Sequence, residues 1–344
     1  STSDDIFGYV RYILPNTSAE SSALERGDLF YAVNGTQLTV SNWRSLLGQD
    51  SYTLNLATYN DNGTATTDDD SIETSTETIA LAKAPYTENP VFKTEILTVE
   101  SQNVGYLMYN GFTSNFDDQL NAAFGTFQAN NVQHLVLDLR YNPGGSVNSA
   151  SLLGSMVTGQ FGSEIFSKLV YNNLQLANNA NFSFSTDVNS LNLDTVYVLT
   201  TGGTASASEM IINSLDAYIN VVHIGTNTTG KSQASITLYD SPNFGRSQAN
   251  PNHTYALQPL VALSVNKDNV EVPADGLVPD IPFTENIGNL GVLGNENEPL
   301  LAAALMHIAD NNRMQQNTSN NFAKEVGDSN DLKLMPKTMY IDSE

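Results

Sequence analysis

A serine and a lysine 25 positions apart have the surroundings of a nucleophile and its base. Ser206 lies in the segment TASASE, at the expected start of a helix that follows the apolar strand TVYVLT of residues 195–200. Lys231 follows Gly230 on a glycine-flanked turn. A serine hydroxyl needs a neighbouring base to take its proton, and a lysine accepts a proton only as the neutral amine, which burial favours. We therefore expect Lys231 to be sequestered from water.

Another segment offers hydrogen-bond donors for a developing negative charge. The apolar run HLVLDLR of residues 134–140 predicts a buried strand, and the turn YNPGG follows it. Glycines after a strand let backbone N–H groups approach a ligand closely, and a helix N-terminus directs further N–H groups outward. We predict an oxyanion hole built from Gly144 or Gly145 together with the N–H group of Ala207.

The segments LDLRYNPGG, TASASE and GTNTTGK, in this order, resemble the signatures of the C-terminal processing peptidases, also called tail-specific proteases. The resemblance covers residues 5–310. It implies a serine endopeptidase with a Ser/Lys dyad, an α/β chain with a crotonase-like or ClpP-like catalytic core, and a PDZ domain. Carried onto this sequence, it makes Ser206 the nucleophile and Lys231 the general base, with Ser208 as the rival nucleophile.

The implied reaction passes through an acyl-enzyme and needs no metal or organic cofactor. Its substrates are proteins or peptides with disordered C-termini. One position departs from the pattern, since many relatives carry a glutamine four residues after the lysine, where this chain has Ser235. Gln233 is the other candidate for the third catalytic residue. The departure also supports an alternative function, a catalytically silent peptide-binding scaffold. An acyl-CoA enzyme is disfavoured because no basic cluster is present to bind nucleotide phosphates.

The N-terminal region resembles a PDZ domain over residues 19–38. A short helix from Ser21, a strand over residues 28–33 and the turn Asn34-Gly35 are the predicted elements. In such domains a peptide adds to a sheet edge and backbone N–H groups hold its carboxylate. The resemblance assigns the carboxylate loop to Phe7, Gly8, Tyr9 and Val10. The alternative is a small β domain without a binding role.

Composition shifts mark three regions: a PDZ-like domain over residues 1–84, a peptidase domain over 85–310 and a polar tail over 311–344. Residues 60–78 are rich in Thr, Asp, Asn and Ser and predict a long solvated hairpin loop. Few apolar residues anchor the tail, so it is expected to be draped or mobile, and processing of this tail by the enzyme itself is a hypothesis.

Charge and composition exclude several kinds of partner. A net charge of −23 disfavours nucleic acid, because phosphate binding needs a basic surface. The sequence contains no run of eighteen apolar residues, so it predicts no membrane span. The absence of cysteine removes disulfides and thiolate chemistry. The four scattered histidines lack metal-ligand spacing, although a Ser/His pairing through His223 or His253 stays open. The start at Ser1 suggests a processed or truncated product, and the resemblance implies the cell envelope or periplasm, with a lipoprotein anchor upstream.

Overall fold

The computed structural model describes residues 4–64, 66–310, 323–333 and 337–341. These residues form two compact units. The first unit takes the described residues of Ser1–Glu88, Thr284–Pro299 and Thr318–Leu334, and the second takes those of Asn89–Phe283, Leu300–Asn317 and Met335–Glu344.

The first unit is an antiparallel sheet with one short helix. Its elements are β1 (Gly8–Tyr9), β2 (Leu29–Val33), β3 (Thr36–Gln37), α1 (Trp43–Leu47), β4 (Ser51–Asn60) and β5 (Ser71–Ala82). The strands lie in the order β1-β2-β4-β5, and β3 pairs with β2. A small apolar core that includes Phe30, Val33 and Trp43 is buried beside this sheet. The predicted turn at Asn34-Gly35 is confirmed, because both residues have positive φ and connect β2 to β3.

The first unit differs from the sequence-based expectations at residues 21–23 and 71–78. The predicted helix from Ser21 is wrong, since the chain makes turns there. The predicted loop over residues 60–78 is shorter, because β4 and β5 pair as far as Asn60 and Ser71 and the Ile and Thr residues of β5 suit a strand. Gly8 and Tyr9 of the expected carboxylate loop pair with Phe30 and Leu29 of β2. The roles assigned to Phe7, Gly8, Tyr9 and Val10 stay predictions.

Ion pairs explain why distant segments belong to the first unit. Arg26 Nη2 lies 2.9 Å from Glu285 Oε1, and Arg11 Nη1 lies 2.7 Å from Asp328 Oδ2. All four side chains are largely buried, so these pairs are screened less than pairs in open solvent. The structure thus groups residues from 284–299 and 323–333 with the N-terminal region, whereas the sequence placed them in the peptidase domain and the tail.

The second unit alternates strands and helices. Its elements are β6 (Val91–Val99), β7 (Gln102–Tyr109), α2 (Asp117–Ala129), β8 (His134–Asp138), β9 (Gly144–Ser146), α3 (Val147–Thr158), β10 (Ile165–Tyr171), β11 (Ala180–Ser183), β12 (Thr195–Thr200), α4 (Ala207–Asp216), β13 (Asn220–Gly225), β14 (Gln233–Ser235), β15 (Leu238–Tyr239), β16 (Ala256–Leu257), β17 (Leu260–Asn266), β18 (Ile281–Pro282), α5 (Pro299–Asp310) and β19 (Thr338–Tyr340). Short 3-10 helices span Ser114–Phe116 and Leu176–Asn178 here and Ser329–Leu332 in the first unit.

Two six-stranded sheets organise this unit. The first has the order β18-β13-β12-β8-β7-β6, and its central strands are parallel. Burial of β8 and β12 on both faces explains their unbroken apolar sequences. The second has the order β11-β10-β17-β14-β19-β9, and α4 contacts strands of both sheets. The mixed α/β architecture is confirmed, while the crotonase-like core and the PDZ-like domain stay predictions.

The last strand corrects the expectation of a draped or mobile tail. Within the predicted tail of residues 311–344, Thr338–Tyr340 form β19 in the interior of the second sheet. Met339 is fully buried and belongs to the main apolar core. Among the described residues, no helix is long and apolar enough to cross a bilayer.

Candidate active site

Ser206 lies immediately before α4 in an unusual backbone conformation. Its φ of 66° and ψ of −115° place a non-glycine residue in the left-handed half of the map. Such a conformation costs on the order of 1–3 kcal/mol and persists where the surrounding structure holds it, often at functional sites. Ser206 is fully buried, and its Oγ has no hydrogen-bond partner among the described residues. Ser206 and Glu209 have the residue types and placement of a capping box, yet no hydrogen bond of normal geometry holds the hydroxyl, which leaves it free to react.

Ser208, the rival nucleophile, has a structural contact instead. Its Oγ donates a hydrogen bond of 3.0 Å to the carbonyl oxygen of Asn142, and the residue is fully buried. The same carbonyl accepts the N–H group of Ala205 at 3.1 Å. Ser208 therefore ties the start of α4 to the turn after β8.

The carboxylate of Glu209 joins the segment of Ser206 to the segment of Lys231. Its Oε2 accepts the backbone N–H groups of Ser206 at 2.7 Å and Lys231 at 2.9 Å. Its Oε1 accepts the N–H group of Gly230 at 2.6 Å and the hydroxyl of Thr228 at 2.5 Å. The two candidate residues thus share one carboxylate oxygen through their backbones. Sequence reasoning missed this role, although Glu209 stands in the motif TASASE itself.

Lys231 is half-buried, and its ammonium group binds backbone. Its Nζ donates to the carbonyl oxygen of Gln233 at 2.7 Å. Burial lowers the pKa of Lys231 below its ordinary value, while the charge of Glu209 acts in the opposite direction. Since Ser206 Oγ has no partner among the described residues, the structure does not join the two side chains by a hydrogen bond.

The two candidates for the third catalytic residue have different surroundings. Gln233 contacts Lys231 through its backbone carbonyl, and its side-chain Nε2 lies 3.3 Å from Ser232 Oγ. Ser235 Oγ donates to the carbonyl oxygen of Met339 at 3.0 Å and accepts from Gln258 Nε2 at 3.1 Å. The polar contact to the lysine therefore comes from the main chain of Gln233.

Gly144 and Gly145 lie in β9 beside the candidate nucleophile. Their φ values of +105° and +138° favour glycine. A Cβ atom at Gly144 would lie 2.7 Å from Ser206 Cβ, and one at Gly145 would lie 2.1 Å from the carbonyl oxygen of Phe112. The N–H group of Gly144 donates to Asn142 Oδ1 at 2.9 Å. Ala207, the expected partner in the oxyanion hole, is the first residue of α4.

A buried ion pair supports the turn before these glycines. Arg140 Nη2 lies 2.8 Å from Asp138 Oδ2, both side chains are fully buried, and the hydroxyl of Tyr106 donates to the same carboxylate at 2.8 Å. The carbonyl oxygen of Arg140 accepts the hydroxyl of Thr201, which lies on the approach to Ser206. Sequence reasoning did not single out this pair, although two charged residues at the end of an apolar strand are a signal for it.

The histidines lie elsewhere. His223 is buried on β13, where its Nε2 contacts Thr200 Oγ1 at 2.5 Å, and His253 Nε2 lies 3.1 Å from Asp240 Oδ2. No contact joins either histidine to Ser206 Oγ in the described part of the chain. That same part of the chain contains no cluster of three or more His, Asp or Glu side chains suited to a metal ion.

Comparisons with known proteins identify the family. The model of peptidase family S41 matches residues 103–282. A CtpA-like serine protease of Staphylococcus epidermidis is 25% identical over 175 residues, which cover 48% of this chain and 34% of that protein. The chain therefore spans about a third of the length of this curated relative.

Solved structures are also similar to the chain, and two of them show how far the similarity extends. An S41 protease of Bacteroides fragilis NCTC 9343 is 30% identical, with a TM-score of 0.75 over 91% of this chain and 80% of that one. The photosystem II D1 C-terminal processing protease is 22% identical, with a TM-score of 0.50 over 87% and 77%, and shows similarity of fold alone. The predicted resemblance to C-terminal processing peptidases is thereby confirmed, and the chain belongs to peptidase family S41, a family of serine peptidases.

Proposed function

We propose that this protein is a serine endopeptidase in which Ser206 is the nucleophile and Lys231 the general base. The observation that carries the proposal is the state of Ser206. Its Oγ is buried and unpartnered among the described residues, and its backbone N–H group shares Glu209 Oε2 with that of Lys231. The lowered pKa of Lys231 supports the same assignment, because a larger share of neutral amine is then present near neutral pH.

The reaction follows from these roles. Neutral Lys231 takes the proton of Ser206 Oγ as that oxygen attacks the peptide carbonyl carbon, and the bond of Lys231 Nζ to the carbonyl of Gln233 orients the amine. The ammonium then gives its proton to the leaving amine, and an acyl-enzyme remains. Water then attacks the carbonyl carbon of the ester while Lys231 takes a proton from the water. The bond between that carbon and Ser206 Oγ breaks, Lys231 returns the proton to Oγ, and the carboxylic acid product leaves.

The N–H groups of Gly145 and Ala207 are the donors we assign to the oxyanion. The N–H group of Gly144 already donates to Asn142. Gly144 instead contributes by having no side chain, which lets its backbone approach Ser206 closely. Preorganised backbone donors of this kind commonly contribute 10²–10³-fold in rate, on the order of 3–4 kcal/mol each. The mechanism requires no metal or organic cofactor.

The proposed substrates are unstructured C-terminal segments of other proteins. The photosystem II D1 C-terminal processing protease, which is similar to this chain in fold, is named for processing of this kind, and that similarity supports the proposed class. The same proposal places the protein in the cell envelope or periplasm. It also gives the first unit a peptide-binding role through Phe7, Gly8, Tyr9 and Val10.

Cleavage of casein, a disordered protein, tests the proposal. Wild-type protein should produce fragments detected by mass spectrometry, Ser206→Ala should produce none, and Ser208→Ala should retain cleavage once its folding is verified by circular dichroism. Ser208→Ala is the matched control, because it removes a buried hydroxyl only two residues away. Equal cleavage by Ser206→Ala and wild type would overturn the assignment of the nucleophile. A folded wild type that binds casein without cutting it would favour the peptide-binding scaffold.

A further inference from the structure

The strand β19 fills a gap between two strands that carry parts of the candidate active site. It pairs in parallel with β9, with Thr338 opposite Gly144 and Met339 opposite Gly145, and on its other side Tyr340 pairs with Ser235 of β14. Neighbouring strands lie about 4.8 Å apart, so β9 and β14 would be separated by about 9.6 Å without β19. This gap, the strand slot, has the width of one extended peptide.

The strand slot opens beside Ser206. A Cβ atom at Gly144 would lie 2.5 Å from the carbonyl oxygen of Thr338 and 2.7 Å from Ser206 Cβ, so the last strand and the nucleophile flank the same point. Ser206 has no exposed surface. Its Oγ is a fully buried hydroxyl without a partner among the described residues. A substrate carbonyl group has to reach this hydroxyl, and the backbone of Thr338 lies beside it.

Four hydrogen bonds from three side chains hold β19 and the adjacent Lys337 in the strand slot. Lys337 Nζ binds Thr229 Oγ1 at 3.0 Å and the carbonyl oxygen of Gly202 at 3.3 Å, and thus spans the segments before Lys231 and Ser206. Ser235 Oγ donates to the carbonyl of Met339, and the hydroxyl of Tyr340 lies 3.3 Å from the carbonyl oxygen of Phe112. The Met339 side chain is fully buried in the apolar core. Backbone pairing together with one buried apolar side chain is how proteins bind extended peptides.

We propose that the strand slot is the substrate site of the peptidase and that β19 is its intramolecular occupant. Substrates would bind as an extended strand parallel to β9, with a large apolar side chain at the position of Met339. The inference rests on the proposed function, and it adds a substrate class and a regulatory contact. An occupant lowers apparent activity by the fraction of time for which it fills the site, so a strand present nine-tenths of the time lowers it about tenfold.

The test releases β19 after the protein has folded. A recognition sequence for a specific protease is inserted between residues 334 and 335, and the folded protein is cut and freed of the peptide by gel filtration. The control carries the same insertion between Asn62 and Gly63, an exposed turn of the first unit. We expect kcat/KM for casein to rise about tenfold after cutting at 334. A synthetic peptide of residues 335–344 should reverse the gain competitively, and the control should show no change.

Binding separates this inference from the proposed function. A fluorescent 335–344 peptide should bind the cut Ser206→Ala protein, and a peptide with Met339→Asp should not. Binding without casein cleavage in any form would contradict the function and retain the strand slot. Equal cleavage before and after release, with no peptide binding, would overturn the strand slot and retain the function.

A second variant covers the case in which the cut protein unfolds. Met339→Glu in the uncut chain places a charge at a fully buried position, which strongly disfavours β19 in its slot. Raised activity in this variant, with the unit still folded by near-UV circular dichroism, supports the occupant. Unfolding or loss of activity would show that β19 is an obligatory part of the fold and overturn the proposal.

Discussion

Replacing Glu209 by glutamine tests whether its carboxylate positions the candidate nucleophile and base. Both oxygens act only as acceptors, Oε2 for the N–H groups of Ser206 and Lys231 and Oε1 for Gly230 and Thr228. A glutamine keeps the size of the side chain, but it replaces one acceptor oxygen by an NH2 donor. With the NH2 group at the Oε2 position, the N–H groups of Ser206 and Lys231 face a donor. With the NH2 group at the Oε1 position, the N–H group of Gly230 faces a donor, whereas the hydroxyl of Thr228 can rotate and accept.

The expected cost follows from burial. Ser206 and Thr228 are buried, whereas Gly230 and Lys231 are half-buried and can turn to water. The first orientation leaves the buried N–H group of Ser206 unsatisfied, which costs about 1–3 kcal/mol, and the second costs less because it leaves only the half-buried N–H group of Gly230 against a donor next to Lys231. A domain with a typical stability of about 5–15 kcal/mol remains folded. The effect on catalysis is larger, because a displacement of about 1 Å between reacting groups can cost about 10²-fold in rate.

The assay compares wild type, Glu209→Gln and Glu164→Gln, whose side chain is exposed in the same unit. We expect kcat/KM for casein to fall about 10²-fold in Glu209→Gln, with a modest loss of urea stability, and no change in Glu164→Gln. Unchanged kcat/KM in a folded Glu209→Gln protein would refute the positioning role. A loss of stability without any loss of activity would show that the carboxylate serves only the fold.

Two further predictions concern stability. Arg140→Met leaves the Asp138 carboxylate buried without its cation, so urea denaturation should show a loss of about 3–5 kcal/mol, and a loss below about 1 kcal/mol would contradict the role of the pair. Burial of His223 lowers its pKa to about 4, while the nearby Asp280 carboxylate acts in the opposite direction. The unfolded chain therefore binds the extra proton first as the pH falls below about 6.5, so stability should decrease between pH 6.5 and 4 by up to about 3 kcal/mol. His223→Gln should flatten this decrease, and an identical pH profile in the variant would exclude His223 as its source.

The sequence predicted those parts of the second unit that arise from local patterns. Apolar runs identified β8 and β12, and the alternation of strands and helices placed Ser206 at the start of α4, as the structure confirms. The hairpin at Asn34-Gly35 was also predictable, because that pair suits a turn with two positive φ angles.

The parts that were missed depend on long-range contacts. The strand β19 has only three residues, and its place is set by pairing with Gly144 and Ser235, which lie far away in the sequence. The four hydrogen bonds of Glu209 come from separate segments. A composition shift likewise could not show that residues 284–299 pack with the N-terminal unit, since the contact depends on pairs such as Arg26 and Glu285.

The most direct measurement of the central claim is the site and rate of labelling by a serine-reactive fluorophosphonate. The folded full chain is incubated with the reagent, digested, and mapped by mass spectrometry, alongside Lys231→Met. We predict an adduct on Ser206, with a labelling rate that increases with pH as Lys231 loses its proton, and almost no adduct in Lys231→Met. An adduct on Ser208, or equal labelling of Ser206 in the Lys231→Met protein, would contradict the proposed pair.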